Sequence, residues 1–380
     1  MNQKKIGIWI VVLLLTGAGA YWLATATPEQ GDIKIGALLP LTGSLAGYGE
    51  DVQNGILLAQ DKLSERFVHF DIVYEDSGGD AKTAASGARK LIDIDNVPAV
   101  IAGPGSTANL AVAPLFEGSK TLFFPISNTP KLNSAGEYIF KLLHDVDFEI
   151  KPTVDFMYAK GIRRAGVLYD SASDSNTAGA KLFQTEFVKA GGEVVFFEGF
   201  DSKTINDFRT QLTTLKSVKP DALYFITVGK SAGVAVRQMR ELGLTLPLFG
   251  WSGLNDGEFF AGAGAHAEGL TIIDQPFSCL GTAEAREYCA LYAARFEGRV
   301  PQVFGAVAYD LLFLFVDAFE TNGIEGPEIE KEEKEKLVAY FTGKAYKGIS
   351  GDLRFDADGN IRDKNFVFRV VKDGKFVEIQ

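Results

Sequence analysis

"VIAGPGSTANLAVAPLFEGSKTLFFPISNTP" occupies residues 100–130, and its reading decides the fold. An apolar run ends on Gly103-Pro104-Gly105, small and apolar residues then recur at helical spacing to about residue 119, and a second apolar run ends on Ile126-Ser127-Asn128. Strand, helix, strand in that order is one parallel crossover with two strand tips side by side. Gly103 and Gly105 allow the backbone to turn sharply and another molecule to approach it closely. Ser106 and Thr107 are placed to cap the following helix, whose first N–H groups lack partners within the helix. A carboxylate or carbonyl there meets several donors and a favourable dipole. The first strand tip, "PLTGSLAGYGE" (40–50), adds Tyr48. Capping alone also accounts for Ser106 and Thr107. The convergence of several polar tips, where ligands of open α/β sheets bind, is what favours a site.

Outward from that stretch the same rhythm repeats. "IKIGALL" (33–39), "FVHFDIVYED" (67–76), "PAVIAG" and "TLFFPI" read as strands with helices between them, Asp80 capping the one that runs to about residue 95. The rhythm restarts at "RRAGVLYD" (163–170) and continues through "GEVVFFEGF", "PDALYFIT" and "LPLFGW". Strands alternating with helices imply parallel sheets covered on both faces, and two such series in 380 residues imply two α/β lobes. Further helices are expected at 283–297 and 303–321. In "PEIEKEEKEKLVAYFTG", Glu330–Lys334 and Glu332–Lys336 are spaced as i,i+4 pairs on a solvated helix, with Gly343 at its stop. The tail "FVFRVVKDGKFVEIQ" reads as a hairpin turning at Asp373-Gly374.

Composition excludes several function classes. A net charge of −11, from 38 basic and 49 acidic residues, argues against a nucleic-acid binder. His69, His144 and His266 have no metal-ligand spacing, so no metal is expected, and "DADGN" (356–360) lacks the glycine and glutamate of a calcium loop and reads as a turn. "GPGSTA" (103–108) formally fits a dinucleotide fingerprint, but no acidic residue follows about twenty positions on to hold a ribose, so no nucleotide cofactor is expected. No catalytic triad or carboxylate pair stands out, and the chain does not read as an enzyme.

Lys4 and Lys5, the apolar run 6–15 and the small residues of Ala18-Gly19-Ala20 form a secretory pattern. Apolar and small residues continue to Ala26, so residues 1–27 read equally as a cleaved signal peptide or a membrane anchor, and either places the rest outside the cytoplasm. Export permits a disulfide. Cys279 and Cys289, with no histidine nearby to activate a thiol, are expected to form one.

The stretches 33–63, 99–117 ("AVIAGPGSTANLAVAPLFE"), 123–130 ("FFPISNTP"), 221–244 ("DALYFITVGKSAGVAVRQMRELGL") and 304–319 ("FGAVAYDLLFLFVDAF") together resemble the leucine/isoleucine/valine-binding protein family, the extracytoplasmic receptors of ABC importers. The likeness covers essentially everything from Asp32 onward. It implies a two-lobed type I periplasmic-binding-protein fold with a hinge of three crossovers near 143–147, 274–278 and 348–352. The lobes would then be 32–144 plus 277–349 and 145–276 plus 350–380. It implies a monomer that closes on a small-molecule ligand and docks on a membrane permease. A ligand-sensing receptor that signals through a separate membrane partner would use the same cleft.

By position the resemblance gives Ser106 to the ligand carboxylate and Ile126 to backbone contacts, with Gly105, Thr107 and Ser127 beside them, Asn128 where a threonine is usual, and Tyr48 at the mouth. In the second lobe, Asn176 (with Ser175 beside it) and Val228 stand at tyrosine positions. In "FGWSGLND" (249–256), Trp251 precedes Ser252, which stands where amino-acid binders place a glutamate for the ammonium group. An amino-acid ligand then needs another acid, and Asp147, Asp170, Asp174 and Asp256 are the candidates. Otherwise the ligand has no ammonium group.

Overall fold

Ile33–Leu39 (β1) alternates its side chains between two cores. Ile35, Ala37 and Leu39 are buried in one and Leu38 in the other, so the strand must lie inside a sheet covered on both faces. The computed structural model describes residues 32–66, 68–275, 277–361 and 366–379. The secretory segment expected at 1–27 lies outside them. Among the described residues no helix is long and apolar enough to cross a membrane.

From β1 the chain runs through α1 (Ala46–Leu63), β2 (Phe70–Asp76), α2 (Ala81–Asp93), β3 (Ala99–Ala102), α3 (Ser106–Ser119) and β4 (Leu122–Pro125). The four strands form a parallel sheet in the order β2-β1-β3-β4. Asp80 caps α2, its carboxylate accepting from the N–H groups of Lys82 and Thr83 at 3.0 Å. All four strands run parallel, so every strand tip in this sheet faces the same end, where residues 40–48, 103–106 and 126–128 gather.

The second series runs through α4 (Asp147–Ala159), β5 (Arg164–Asp170), α5 (Asp174–Lys189), β6 (Glu193–Phe200), α6 (Arg209–Val218), β7 (Ala222–Ile226), α7 (Gly229–Glu241), β8 (Leu248–Gly250), α8 (Gly257–Ala263) and β9 (Thr271–Asp274). The chain then makes α9 (Ala283–Arg295), α10 (Val303–Asn322), α11 (Lys331–Gly343), a small pair β10 (Ala345–Lys347) and β11 (Asp352–Arg354), and a last hairpin, β12 (Val367–Lys372) and β13 (Lys375–Ile379). That hairpin turns through Asp373 and Gly374, both at positive φ (53° and 73°), and adds antiparallel to β9. The second sheet has the order β13-β12-β9-β8-β7-β5-β6. Each sheet carries its own core, so the molecule is two-lobed.

The first lobe takes α10 back from far along the chain. Phe315 and Phe319 pack on Phe70, and Phe315 also packs on Phe124 of the sheet. The approach of α10 to α1 depends on paired glycines: a Cβ on Gly55 would sit 2.0 Å from the carbonyl oxygen of Gly305. A carboxylate ties the same contact, Asp51 of α1 accepting from the N–H groups of Gln302 (3.0 Å) and Gly305 (2.6 Å) and from the Tyr292 hydroxyl (2.9 Å).

Buried side chains locate the crossings between lobes. Leu143 belongs to the first core and Val146 to the second; Ile272 belongs to the second, and Phe277 packs with Leu58 and Tyr288 beside the first. The third crossing falls later than the expected 348–352. Leu353, Phe355 and Ile361 are buried in the first core, and the chain rejoins the second sheet only at Val367. Residues 350–361, which the resemblance assigns to the second lobe, therefore pack with the first, because the alternating apolar residues of β11 and its neighbours complete the Phe124–Phe140 cluster. On α11 the ion pair is Lys331–Glu335 at 3.5 Å, not the expected Glu330–Lys334 and Glu332–Lys336. Glu330 is the N-cap and exchanges hydrogen bonds with Glu333 in a capping box, which takes it out of the i,i+4 row.

Candidate functional site

The strand tips of the two sheets face each other across one cleft of about 1440 Å³. Its lining includes Tyr48, Gly105, Ser106, Thr107, Ile126, Ser127 and Asn128 from the first lobe and Asn176, Val228, Trp251 and Ser252 from the second. Of the four acids weighed for an ammonium group, Asp170 and Asp256 line the cleft. Asp147 is exposed at the start of α4, and Asp174 binds Lys131 and the Thr129 hydroxyl (3.0 Å).

The first-lobe wall is the β3–α3 turn and the β4 tip. Gly105 is the N-cap of α3, at φ +148°, a conformation that a side chain would strain. Ser106 is thereby the first helical residue and not the cap, as the sequence reading had it, and no side chain caps α3. The hydroxyl of Ser106 lies 2.9 Å from that of Ser127, so one of the pair has an acceptor or donor to spare for a ligand. Thr107 does not cap either. Its hydroxyl donates across the cleft to the Ala172 carbonyl (3.4 Å) and accepts from the Asp174 N–H (3.3 Å). Asn109 fastens the two tips from behind through Nδ2, donating to the Gly103 carbonyl at 3.1 Å.

The opposing wall is the start of α5 and the tips of β7 and β8. Ser173 caps α5 by accepting from the Asn176 N–H (3.4 Å), which sets Asn176 in the first turn. Asn176 is 1 % exposed, and neither atom of its side-chain amide has a hydrogen-bond partner among the described residues. A buried amide with four unmet hydrogen-bonding positions is costly unless something in the cleft meets them. Val228 is the N-cap of α7 and supplies only an apolar wall there. Trp251 is fixed by its indole N–H, which donates to the Thr227 carbonyl at 2.8 Å.

Ser252 turns its donors inward. Its hydroxyl (2.7 Å) and N–H (3.1 Å) both donate to Glu149, a fully buried carboxylate of α4 that also meets His144 Nε2 at 3.0 Å. Glu149 was missed from the sequence, where it is one acidic residue in an ordinary helix and carries no motif. Asp256 spans the lobes. It accepts from the Tyr48 hydroxyl (2.5 Å) and from the N–H groups of Gly229 (3.1 Å) and Phe259 (2.9 Å). Burial raises the Asp256 carboxyl above the ordinary carboxylate range despite these bonds. Burial first, then the Asp256 charge, hold the Tyr48 hydroxyl protonated well past its usual value, so Tyr48 is the donor of the pair.

At the hinge end Asp274 pairs with Arg369 and accepts from Asn255 (2.7 Å); burial pushes it up to about 6, with Arg369 opposing. Cys279 and Cys289 are joined in a disulfide that closes a short loop at the cleft's rim. "DADGN" is a turn in which Asp356 accepts from the N–H groups of Asp358 (3.0 Å) and Asn360 (2.9 Å). Among the described residues no group of His, Cys, Asp and Glu is placed to hold a metal ion.

Residues 32–375 match the protein family described as periplasmic binding protein. A leucine-, isoleucine-, valine-, threonine- and alanine-binding protein of Pseudomonas aeruginosa is 24% identical over 390 residues, spanning 100% of this chain and 99% of that one. Among solved structures, a branched-chain amino acid transporter substrate binding protein from Streptococcus pneumoniae, in complex with isoleucine, is 26% identical with a TM-score of 0.81, covering 92% of this chain and 100% of that one. A solute binding protein of an R. palustris ABC transporter, in complex with benzoate, shares the fold at a TM-score of 0.83 and 21% identity, covering 92% and 96%.

Proposed function

The chain belongs to the periplasmic binding protein family, an extracytoplasmic family whose members bind solutes and are not enzymes, and from that premise we propose that it is the solute receptor of an ABC importer, taking an amino acid or a related small carboxylate or amide into the interlobe cleft. Asn176 carries this reading: a buried amide with no hydrogen-bond partner among the described residues, facing a cleft whose other wall is the start of α3, which no side chain caps. The ligand carboxylate meets the Ser106 and Ser127 hydroxyls and the first N–H groups of α3. Asn128 and the Ile126 backbone flank it, and Trp251 and Val228 close the far side. Since each lobe supplies part of the site, ligand binds the closed arrangement better than the open one, and binding drives hinge closure. A permease that recognises the closed form then receives the solute.

The test is a thermal-shift screen of the purified chain against amino acids, amides, aromatic acids and sugars. A ligand at a hundred times its dissociation constant adds about 2.7 kcal/mol of stability. Ser106→Ala combined with Asn128→Ala is expected to weaken the ligand at least tenfold with an unchanged melt of the free protein. Unchanged affinity would remove both residues from the site.

A further inference from the structure

The geometry points to a solute class narrower than the function above: a carboxylate that carries no ammonium group, held between the N-termini of α3 and α5, with a second hydrogen-bonding group placed against the Asn176 amide. The inference rests on the reading of the cleft as a small-solute site. Two helix N-termini converge there. The Thr107 hydroxyl, in the first turn of α3, lies 3.3 Å from the N–H of Asp174, the first residue of α5. α3 has no side-chain cap, and Asn176 in the first turn of α5 is buried with both amide atoms unpartnered. Both termini present partial positive charge, which favours an anion. To this α3 adds first-turn N–H groups that no side chain caps, and α5, whose Asp174 and Asn176 N–H groups already donate to Thr107 and Ser173, adds the unmet Asn176 amide.

The acids around the cleft give the complementary half of the argument. Every buried carboxylate in its lining already receives three donors. Asp170 accepts from the Ala172 N–H (3.0 Å), the Ser202 N–H (3.2 Å) and the Ser202 hydroxyl (2.7 Å). Asp256 is held by Tyr48, Gly229 and Phe259, Asp274 by Arg369, Asn255 and the Gln275 N–H, and Asp51 by Tyr292, Gln302 and Gly305. Glu149, behind Ser252, is satisfied by Ser252 and His144. The remaining lining acids, Glu50, Glu258 and Glu378, are exposed to solvent, and Glu50 pairs with Arg299. An ammonium group buried beside Ser106 and Asn176 would lose its water without gaining a carboxylate, and would sit between two ends of its own sign.

The experiment is calorimetric titration of the purified full-length chain with acids that differ only by the ammonium group: 4-methylpentanoate against leucine, and 3-phenylpropanoate against phenylalanine, with 4-methylpentanamide as a neutral control. At least one carboxylate is expected to bind tenfold or more tightly than its amino acid. Asn176→Asp, nearly the same shape with a negative charge, is expected to weaken that carboxylate tenfold or more. An amino acid that binds as tightly as its parent acid, or more tightly, overturns this inference and leaves the small-solute reading standing. Silence from the acids, amino acids and amide alike sinks that reading itself. Should Asn176→Asp fail to fold, Asn176→Ala carries the same test, and wild-type affinity in it removes the amide from the site and overturns the proposal.

Discussion

Tyr48→Phe isolates one of the contacts that join the two walls of the cleft. The substitution deletes one hydroxyl and keeps the ring, which packs edge-on against Phe304 at 5.2 Å, so the first lobe keeps its packing. What is lost is the 2.5 Å hydrogen bond from a buried hydroxyl to the Asp256 carboxylate. Hydrogen bonds to charged groups contribute about 1.5–3 kcal/mol. Because Tyr48 and Asp256 sit on different lobes, that free energy belongs to the closed arrangement alone, and ligand that needs both lobes loses it in full. The dissociation constant is then expected to rise roughly 10- to 150-fold, with the thermal unfolding of the free protein nearly unchanged. Titration calorimetry reads the affinity, and small-angle scattering reads the fraction closed at saturating ligand.

A pH series gives that experiment a second axis. Burial holds the Asp256 carboxyl above its ordinary value, so on acidification it takes up a proton earlier than a free aspartate does. The charged hydrogen bond then becomes a neutral one, worth about half as much. The gap in affinity between wild type and Tyr48→Phe is expected to narrow as pH falls through that range. Wild-type affinity in Tyr48→Phe at pH 7, or a gap that widens on acidification, would refute the reasoning.

Two further substitutions test the scaffold. Burial pushes the Asp51 carboxyl from 3.8 up to about 7, so between those values the folded protein holds a proton that the unfolded chain has released, and stability falls as pH rises from about 4 to about 7. Asp51→Asn cannot titrate and is expected to flatten that decline, which amounts to about 4 kcal/mol at most; Asp274 and Asp310, both near 6 from burial, keep part of the slope, and urea unfolding at pH 4.5 and 7.5 measures the difference. Gly55→Ala places a methyl 2.0 Å from a backbone oxygen that no side-chain rotation can move, and is expected to destabilise the first lobe by about 3 kcal/mol, seen as a lower urea midpoint.

Much of this architecture was legible because it depends on local periodicity. The run from Ala99 to Pro125 gives its strands by apolar continuity and its helix by spacing, and Asp80 marks a helix start by its chemistry. The first lobe's polar strand tips were legible for the same reason, since parallel crossovers leave all tips at one end. Contacts made by residues distant in the chain were not legible. Glu149 and Ser252 meet only because the second lobe packs α4 beneath the β8 tip, about a hundred residues further along the chain. Asp170 and Asp256 separate from Asp147 and Asp174 only when side-chain direction is known. The third crossing was misplaced because Leu353, Phe355 and Ile361 carry no periodic signal that says which of two cores they fill. The cap of α3 moved by one residue because a glycine N-cap leaves no side-chain signature.

The discontinuous make-up of the first lobe bears on how the chain is born. Its four strands are finished at Pro125, yet the helix that shields one face of them, Val303–Asn322, emerges roughly 180 residues later, an interval of about ten to forty seconds at ordinary rates of synthesis. Throughout that interval Ile35, Phe124 and their neighbours have α1 beside them but lack the larger part of their cover. The intervening lobe, whose core is nearly continuous from Val146 to Ile272, meets no such delay and can consolidate first. A chain on its way out of the cell thus has an exposed greasy surface to keep from its fellows until its last third arrives.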